Sequence, residues 1–438
     1  MNGPSPARPD GDTVPLRVAG PVDELAAQLA DRTAPAVHPY EVAALLESEG
    51  LTGDQVRERY GHPDIFSLAR ELHRRVPRGF PEPGPGADPW APDHLRCVLR
   101  GLLFALPGLS YPLTAPWWNG PGAVPALVVA GLLSWAWGQA LSHRTYGRLA
   151  TGRREAGLTL STGAPAGAVL AALAGLAVAG PGAAALFALG QSVYLAAAGV
   201  LLVLGRERLL AAALVPLTAG GALLLHGEPG PAVRVGLPLL SLAATAVLAV
   251  RAVRDALGAA AVPGAARPGH LPSVPYGLFG LAAGVLVLSA GARHPYAVVA
   301  LTISMGPAEW LLYRFRGAAV AALRASTTMR GFRLRVARAL AVCLGAYTVP
   351  LVPAALLTGA PAGELAALGA VLWVALLLQA FGVGWPPAGV CLAAAAPVAV
   401  AATGPSPWPW LATACCATAA TVLAGLALYS LGRPFAHA

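Results

Sequence analysis

The residues that could do chemistry in this chain are the few polar groups set inside long apolar runs. Glu309, in the stretch SMGPAEWLLYRFR, follows a Gly306-Pro307 step that should kink a helix and free backbone groups. An acid at membrane depth is costly and tends to be functional, so Glu309 is a candidate to bind a proton or cation whose release is coupled to transport. The plainer alternative is that it pairs with Arg314 or another arginine, or reaches the membrane interface. Gln139, Gln191 and Gln379 fall in other apolar runs, where an amide needs partners on neighbouring helices or in a cavity. Structural bonding between helices is the commoner use, while a cavity lined by neutral amides would suit sugar hydroxyls. Arg100, His143, Arg144 and Arg314 sit near the ends of apolar runs. They are candidates for a phosphorylated head group, since the guanidinium fork matches phosphate. Basic residues there are also what membrane topology alone requires.

The elements that must position these groups are membrane helices. The chain has 438 residues, 56% hydrophobic and 12% charged, with a mean hydropathy of +0.61. A soluble surface needs about a quarter of its residues charged. Twelve spans are expected, at 98–118, 122–141, 159–179, 182–204, 208–226, 234–250, 275–292, 295–313, 336–357, 363–382, 386–403 and 408–430. The fold class is therefore all-α: a polytopic membrane protein with about 12 transmembrane helices as two six-helix bundles, preceded by a small soluble helical domain.

Charge divides the chain. Residues 1–97 carry 15 of the 21 acids and 10 of the 30 basic residues, a net of −5, and the remainder carries +14. Every basic residue is arginine, an association with a GC-rich, actinobacterial genome. Residues 1–20 read as a disordered Pro/Gly-rich start, 21–78 as a helical domain and 79–97 as a Pro/Gly-rich linker. The first bundle is then 98–250, a connector 251–274, and the second bundle 275–433. Within 21–78, helices are expected from Val22, from Pro39 to Gly50, from Thr52 and from Asp64, the last two residues as caps. His38-Pro39 and His62-Pro63 read as turns rather than metal ligands. The arginines concentrate in alternate connectors, which places both termini in the cytoplasm, and the expected location is the plasma membrane. The N-terminus has no signal-peptide pattern, so insertion would use the first membrane helix.

Two basic connectors, WGQALSHRTYGRLATGRREAGLTL at 137–160 and EWLLYRFRGAAVAALRASTTMRGFRLRVARAL at 309–340, occupy matching places in the two halves. Their spacing suits a parallel six-plus-six repeat. The first, from Gln139 through GRLATGRREAG, resembles the corresponding loop of the multidrug/oligosaccharidyl-lipid/polysaccharide flippase superfamily. The likeness spans about residues 98–433 and is carried by that connector. It implies two six-helix bundles around a central V-shaped cavity that rock between inward- and outward-open forms. It also implies a flippase-like transporter of a lipid-linked or amphipathic glycan. In extrusion-type members the coupling acid often sits in the first helix of a bundle, and 98–118 contains no acid.

Alternatives are a proton-coupled small-molecule exporter using Glu309, and a non-transporting scaffold recruiting a cytoplasmic partner through 22–78. A membrane-embedded glycosyltransferase would call for outer-loop acids, and Glu228 and Glu364 stand isolated in sequence. No catalytic triad, paired carboxylates, metal-ligand spacing or P-loop is present, so neither an enzyme nor a cofactor is expected. The five cysteines read as small hydrophobes. The expected partners are membrane lipids, a lipid-linked glycan and a cytoplasmic protein, with no nucleic acid.

Overall fold

The computed structural model describes residues 20–77, 93–118, 120, 122–264, 269–402, 408, 410–433 and 436. The expected start at 1–19 and most of the linker lie outside the described residues. The chain forms two compact units, one centred on 20–77 with 320–335, the other running through 93–319 and 336–431.

The first unit begins with α1 (Pro21–Gln28), α2 (Ala30–Thr33), α3 (Pro39–Ser48), α4 (Gly53–Glu58) and α5 (Ile65–Arg75). Local chemistry sets their starts. Thr52 Oγ1 accepts from Gln55 N at 3.3 Å, and the Gln55 side chain returns a bond to Thr52 N. Asp64 caps α5 by accepting from Ser67 N at 2.8 Å. His38 caps α3, accepting from Tyr40 N. The apolar faces close on Val42, Leu46, Val56, Phe66, Leu68 and Leu72, all fully buried. The sequence did not anticipate that 320–335, with Arg324, Arg330, Arg333 and Arg335, belongs to this unit. The short α2 was also not expected.

The second unit holds α6 (His94–Ala105), α7 (Ser110–Trp118), α8 (Ala123–Thr151), α9 (Arg153–Ala179), α10 (Ala183–Val203), α11 (Glu207–Leu223) and α12 (Pro231–Leu257). After them come α13 (Val274–Arg293), α14 (Pro295–Ile303), α15 (Met305–Ala325), α16 (Met329–Thr348), α17 (Leu351–Thr358), α18 (Ala362–Ala380), α19 (Trp385–Ala402) and α20 (Leu411–Leu431). Helices α15 and α16 run partly into the first unit. Ten helical stretches among the described residues are long and apolar enough to cross a membrane. The chain has an all-α, multi-pass membrane fold.

Two of the twelve expected spans differ. The fifth is α11, 17 residues long, which reaches about 25 Å, short of the hydrocarbon thickness. The eighth, 295–313, is broken at Ser304 into α14 and α15. Pro307 has no N–H to give to the Ile303 carbonyl, so the helix cannot run straight through. The sixth is longer than expected, since α12 has 27 residues. The connector expected between the second and third spans is not a loop. Helices α8 and α9 continue through it and are separated by Gly152 alone, because arginine and alanine sustain a helix beyond the apolar stretch.

The packing repeats. In the first half α8 packs on α9, α9 on α10, α10 on α12, α11 on α12 and α6 on α11. Shifted by one half, α14 packs on α17, α17 on α18, α18 on α20, α19 on α20 and α13 on α19. The halves meet through an exchanged pair, α6 on α14 and α8 on α13. An operation that carries each half onto the other turns one of these seams into the other, which is what a twofold relation requires.

Phe66 is fully buried and meets Tyr40 edge-to-face at 5.6 Å. We expect Phe66→Ala to destabilise the N-terminal helices by about 3–5 kcal/mol. Hydrogen exchange on the full-length protein should show faster exchange over 20–77 with the membrane helices unchanged.

Candidate functional site

Four charged side chains of the membrane unit meet at one point. Arg100 on α6 donates from Nη1 to Glu309 Oε1 at 2.6 Å and from Nη2 to Glu207 Oε1 at 2.9 Å. Arg96, one turn earlier, donates from Nε to the same Glu207 oxygen at 2.9 Å. Two arginines thus meet two glutamates, one at the start of α11 and one on α15. Glu207 is buried and the Arg100 and Glu309 side chains are largely so. The two acids stand on the two spans that depart from the ideal apolar helix.

Glycines bring the helices together. A Cβ on Gly101 would stand 2.8 Å from the Ile303 carbonyl oxygen, and one on Gly306 would stand 2.6 Å from the Cys97 carbonyl oxygen. Only a hydrogen fits at either place, so α6 and the α14–α15 break are in backbone contact. Trp310 donates to His94 Nδ1 at 3.0 Å, and Arg314 lies 5.5 Å from the Trp310 ring centroid.

The exchanged seam has its own bonds. His143 on α8 stacks on Tyr276 of α13 at 3.7 Å and its Nδ1 lies 3.0 Å from Ser273 Oγ. Gly277, Gly280 and Gly284 face α8, where an added Cβ on Gly280 would meet Gln139 Cγ at 2.8 Å. Gln139 therefore packs in the seam. Gln191 is used within the first half: Oε1 accepts from Tyr111 OH at 2.9 Å, and Nε2 donates to the Leu127 carbonyl at 3.1 Å. Gln379 Nε2 on α18 is buried without a hydrogen-bond partner among the described residues, and the Gln379 carbonyl faces Tyr276 OH at 3.5 Å. The structure thus brings Arg100 to Glu309, His143 and Gln139 to α13, the Gln379 backbone to Tyr276 of α13, and Arg314 to Trp310, while Gln191 is used within the first half.

Arg144 belongs to a different feature. A groove of about 490 Å³ is lined by Trp137, Ala140, Leu141, Arg144 and Arg148 of α8, by Leu158, Thr159, Thr162 and Gly163 of α9, and by His270, Ser273 and Val274. Arg144 Nη1 donates to the Gly269 carbonyl at 2.9 Å. Arg148 is buried and paired with Glu155. A smaller cavity of about 30 Å³ lies between α8, α9 and α10. Ser134 lines it, its Oγ buried and without a partner among the described residues, and there is room for a water molecule.

Sequence reasoning missed Glu207, Arg96 and the groove. It also left Glu228 and Glu364 isolated, whereas Glu364 is buried against Arg293 and Glu228 lies 3.4 Å from Arg234. One signal was available. Only six acids follow residue 97, and each needs a cation if it is to stay in an apolar bundle.

No protein-family model matches the chain. No curated protein matches it either. Among solved structures it is similar to the crystal structure of a MATE point mutant, with a TM-score of 0.41 and 12% identity over 79% of this chain and 97% of that one. At that score and identity the likeness transfers no substrate, coupling ion or residue role.

Arg100→Met would leave Glu309 facing α6 without its cation. We expect a loss of about 3–5 kcal/mol, partly recovered in Arg100→Met with Glu309→Gln, since Arg96 still meets Glu207. Denaturation midpoints in detergent, taken as a double-mutant cycle, measure this. Strictly additive losses would mean that Arg100 and Glu309 are not coupled.

Proposed function

We propose that the protein is a flippase-like secondary transporter, not an enzyme, that moves a lipid-linked or amphipathic glycan across the plasma membrane by alternating access. The observation that carries this reading is the repeated packing with its exchanged seams, α6 on α14 and α8 on α13. Two like halves joined this way can rock about a common axis and open at either end in turn. The bonds that cross the seams, Arg100 to Glu309 and His143 to Ser273, join the start of α6 to α15 and the end of α8 to the start of α13. The arginine bias of the connectors supports a cytoplasmic location for this end and for both termini. Opening there requires both sets of bonds to part. Polar head groups would pass between the halves while the tails stay in the bilayer. The helices of 22–78 would dock a cytoplasmic protein or regulate the transporter.

One observation favours a proton-coupled small-molecule exporter as a second reading. Glu309 stands at a seam and is held by Arg100. Protonation of Glu309 would release that bond and couple a proton to opening.

The test uses proteoliposomes holding a fluorescent polyprenyl-diphosphate sugar, with an impermeant reductant added outside. The protein should raise the reducible fraction above the half exposed in protein-free vesicles. Equal fractions with and without protein would overturn the transporter reading. Glu309→Gln should abolish the pH dependence of the rate if a proton is coupled, and an unchanged pH profile would remove that second reading.

A further inference from the structure

We infer that Glu207 is a positioning residue that sets how firmly the seam between α6 and the α14–α15 break closes, by competing with Glu309 for Arg100. The role rests on the proposed rocking of the two halves, and it gives each carboxylate of the cluster a different part in that motion.

The two acids hold the same guanidinium unequally. Glu207 Oε1 accepts from Arg100 Nη2 at 2.9 Å, from Arg100 Nε at 3.2 Å and from Arg96 Nε at 2.9 Å. Glu309 Oε1 accepts from Arg100 Nη1 at 2.6 Å, its one bond among the described residues. Glu207 is also the first residue of α11, where the unpaired N–H groups of a helix favour an anion. Glu207 therefore has the lasting claim on Arg100, and the bond to Glu309 is the one that can be given up.

The chain divides these groups between the halves. Arg96 and Arg100 stand on α6 and Glu207 on α11, two helices of the first half that pack on each other. Glu309 stands on α15 of the second half. Parting the seam breaks the bond from Arg100 to Glu309 and none of the bonds to Glu207. A guanidinium left unpaired in an apolar bundle would make that step very costly. Glu207 removes most of the cost, because Arg100 leaves Glu309 still paired. Arg96 acts against it by drawing on the same Glu207 oxygen. The longer-range charges add with the same signs, since Glu207 repels Glu309 and Arg96 attracts it. Whatever strengthens the hold of Glu207 on Arg100 loosens the seam, and whatever weakens that hold tightens it. Two carboxylates on one guanidinium thus have opposite effects on closure, which a cluster that only tied helices together would not show.

The test reads the distance between the halves of the full-length protein in nanodiscs, by double electron–electron resonance between spin labels at Val250→Cys on α12 and Val342→Cys on α16. Both positions are exposed on helices of opposite halves, and the native cysteines are replaced by alanine. The wild-type cluster should give two distances, a short one for the closed seam and a long one for the open seam. Glu207→Gln should raise the short-to-long ratio about tenfold, the worth of one charge-assisted hydrogen bond. Glu309→Gln and Arg96→Met should lower it by a similar factor. Glu207→Asp, which keeps the charge, should return the ratio towards the wild type. Loosening of the fold alone would shift Glu207→Gln and Arg96→Met in the same direction, so opposite shifts carry the assignment. A Glu207→Gln ratio that falls or stays unchanged while Glu309→Gln opens the seam would overturn this role and leave the rocking in place, as would an Arg96→Met shift towards closure. A single distance common to all variants would overturn the rocking and this role with it.

Discussion

An arginine guanidinium taken out of water must find its counter-charges inside the protein, and Arg100 finds two. Leaving such a charge in an apolar bundle unpaired costs several kcal/mol, so α6, α11 and α15 are tied to one another. The requirement reaches the backbone. Where α6 meets the break after Ile303 there is no room for a Cβ, and Gly101 and Gly306 stand at that contact. The break follows from Pro307, which also frees the Ile303 carbonyl to lie against Gly101. Arg96 completes a neutral set of two cations and two anions, so the cluster adds no net charge to the bundle.

The proposed rocking of the halves needs seams that close firmly and still come apart. Apolar helix faces alone offer little discrimination between two arrangements in lipid, where no hydrophobic force acts between helices. Charge and ring contacts supply it. On one seam this is the Arg100–Glu309 pair, and on the other the stacked His143 and Tyr276. The two are chemically different although the helices that bear them are related by the repeat. Closing the seams therefore depends on two kinds of bond, of which the ion pair responds to a change of charge and the ring stack to a change of shape. The acidic 20–77 region and the arginines of 320–335 form a unit, so the second basic connector serves more than membrane topology.

Much of the fold was legible because membrane helices are written in composition. Ten of the twelve expected stretches are helices of spanning length, and Thr52 and Asp64 cap where a hydroxyl and a carboxylate should. The two departures have local causes: a proline that removes one N–H, and an apolar run that a glutamate begins and that ends after 17 residues. The candidate site was less legible. Glu309 was visible as an acid in an apolar run, but its partner lies 209 residues away, and periodicity carries no information about which helices meet. Gln191 could be recognised as needing partners, yet nothing local distinguishes its structural bonds from the unpartnered amide of Gln379. The groove was hidden because an arginine-rich connector looks the same whether its side chains face water, a carboxylate or a cavity.

That last ambiguity separates topology from recognition. Positive charge near a membrane end is explained by orientation alone, and a count of arginines cannot do better. What differs among Arg144, Arg148 and Arg154 is where each guanidinium is sent. Arg154 donates to the Leu257 carbonyl at 2.9 Å and thereby closes the end of α12 onto α9. Arg148 is neutralised by a carboxylate seven residues on. Arg144 lines a groove and donates to the Gly269 carbonyl at 2.9 Å. Because α8 continues helical past the apolar stretch, these arginines are held at fixed positions around one axis. A flexible loop would have let all of them reach solvent. The helical extension is thus what allows neighbouring arginines of one connector to take up three distinct tasks.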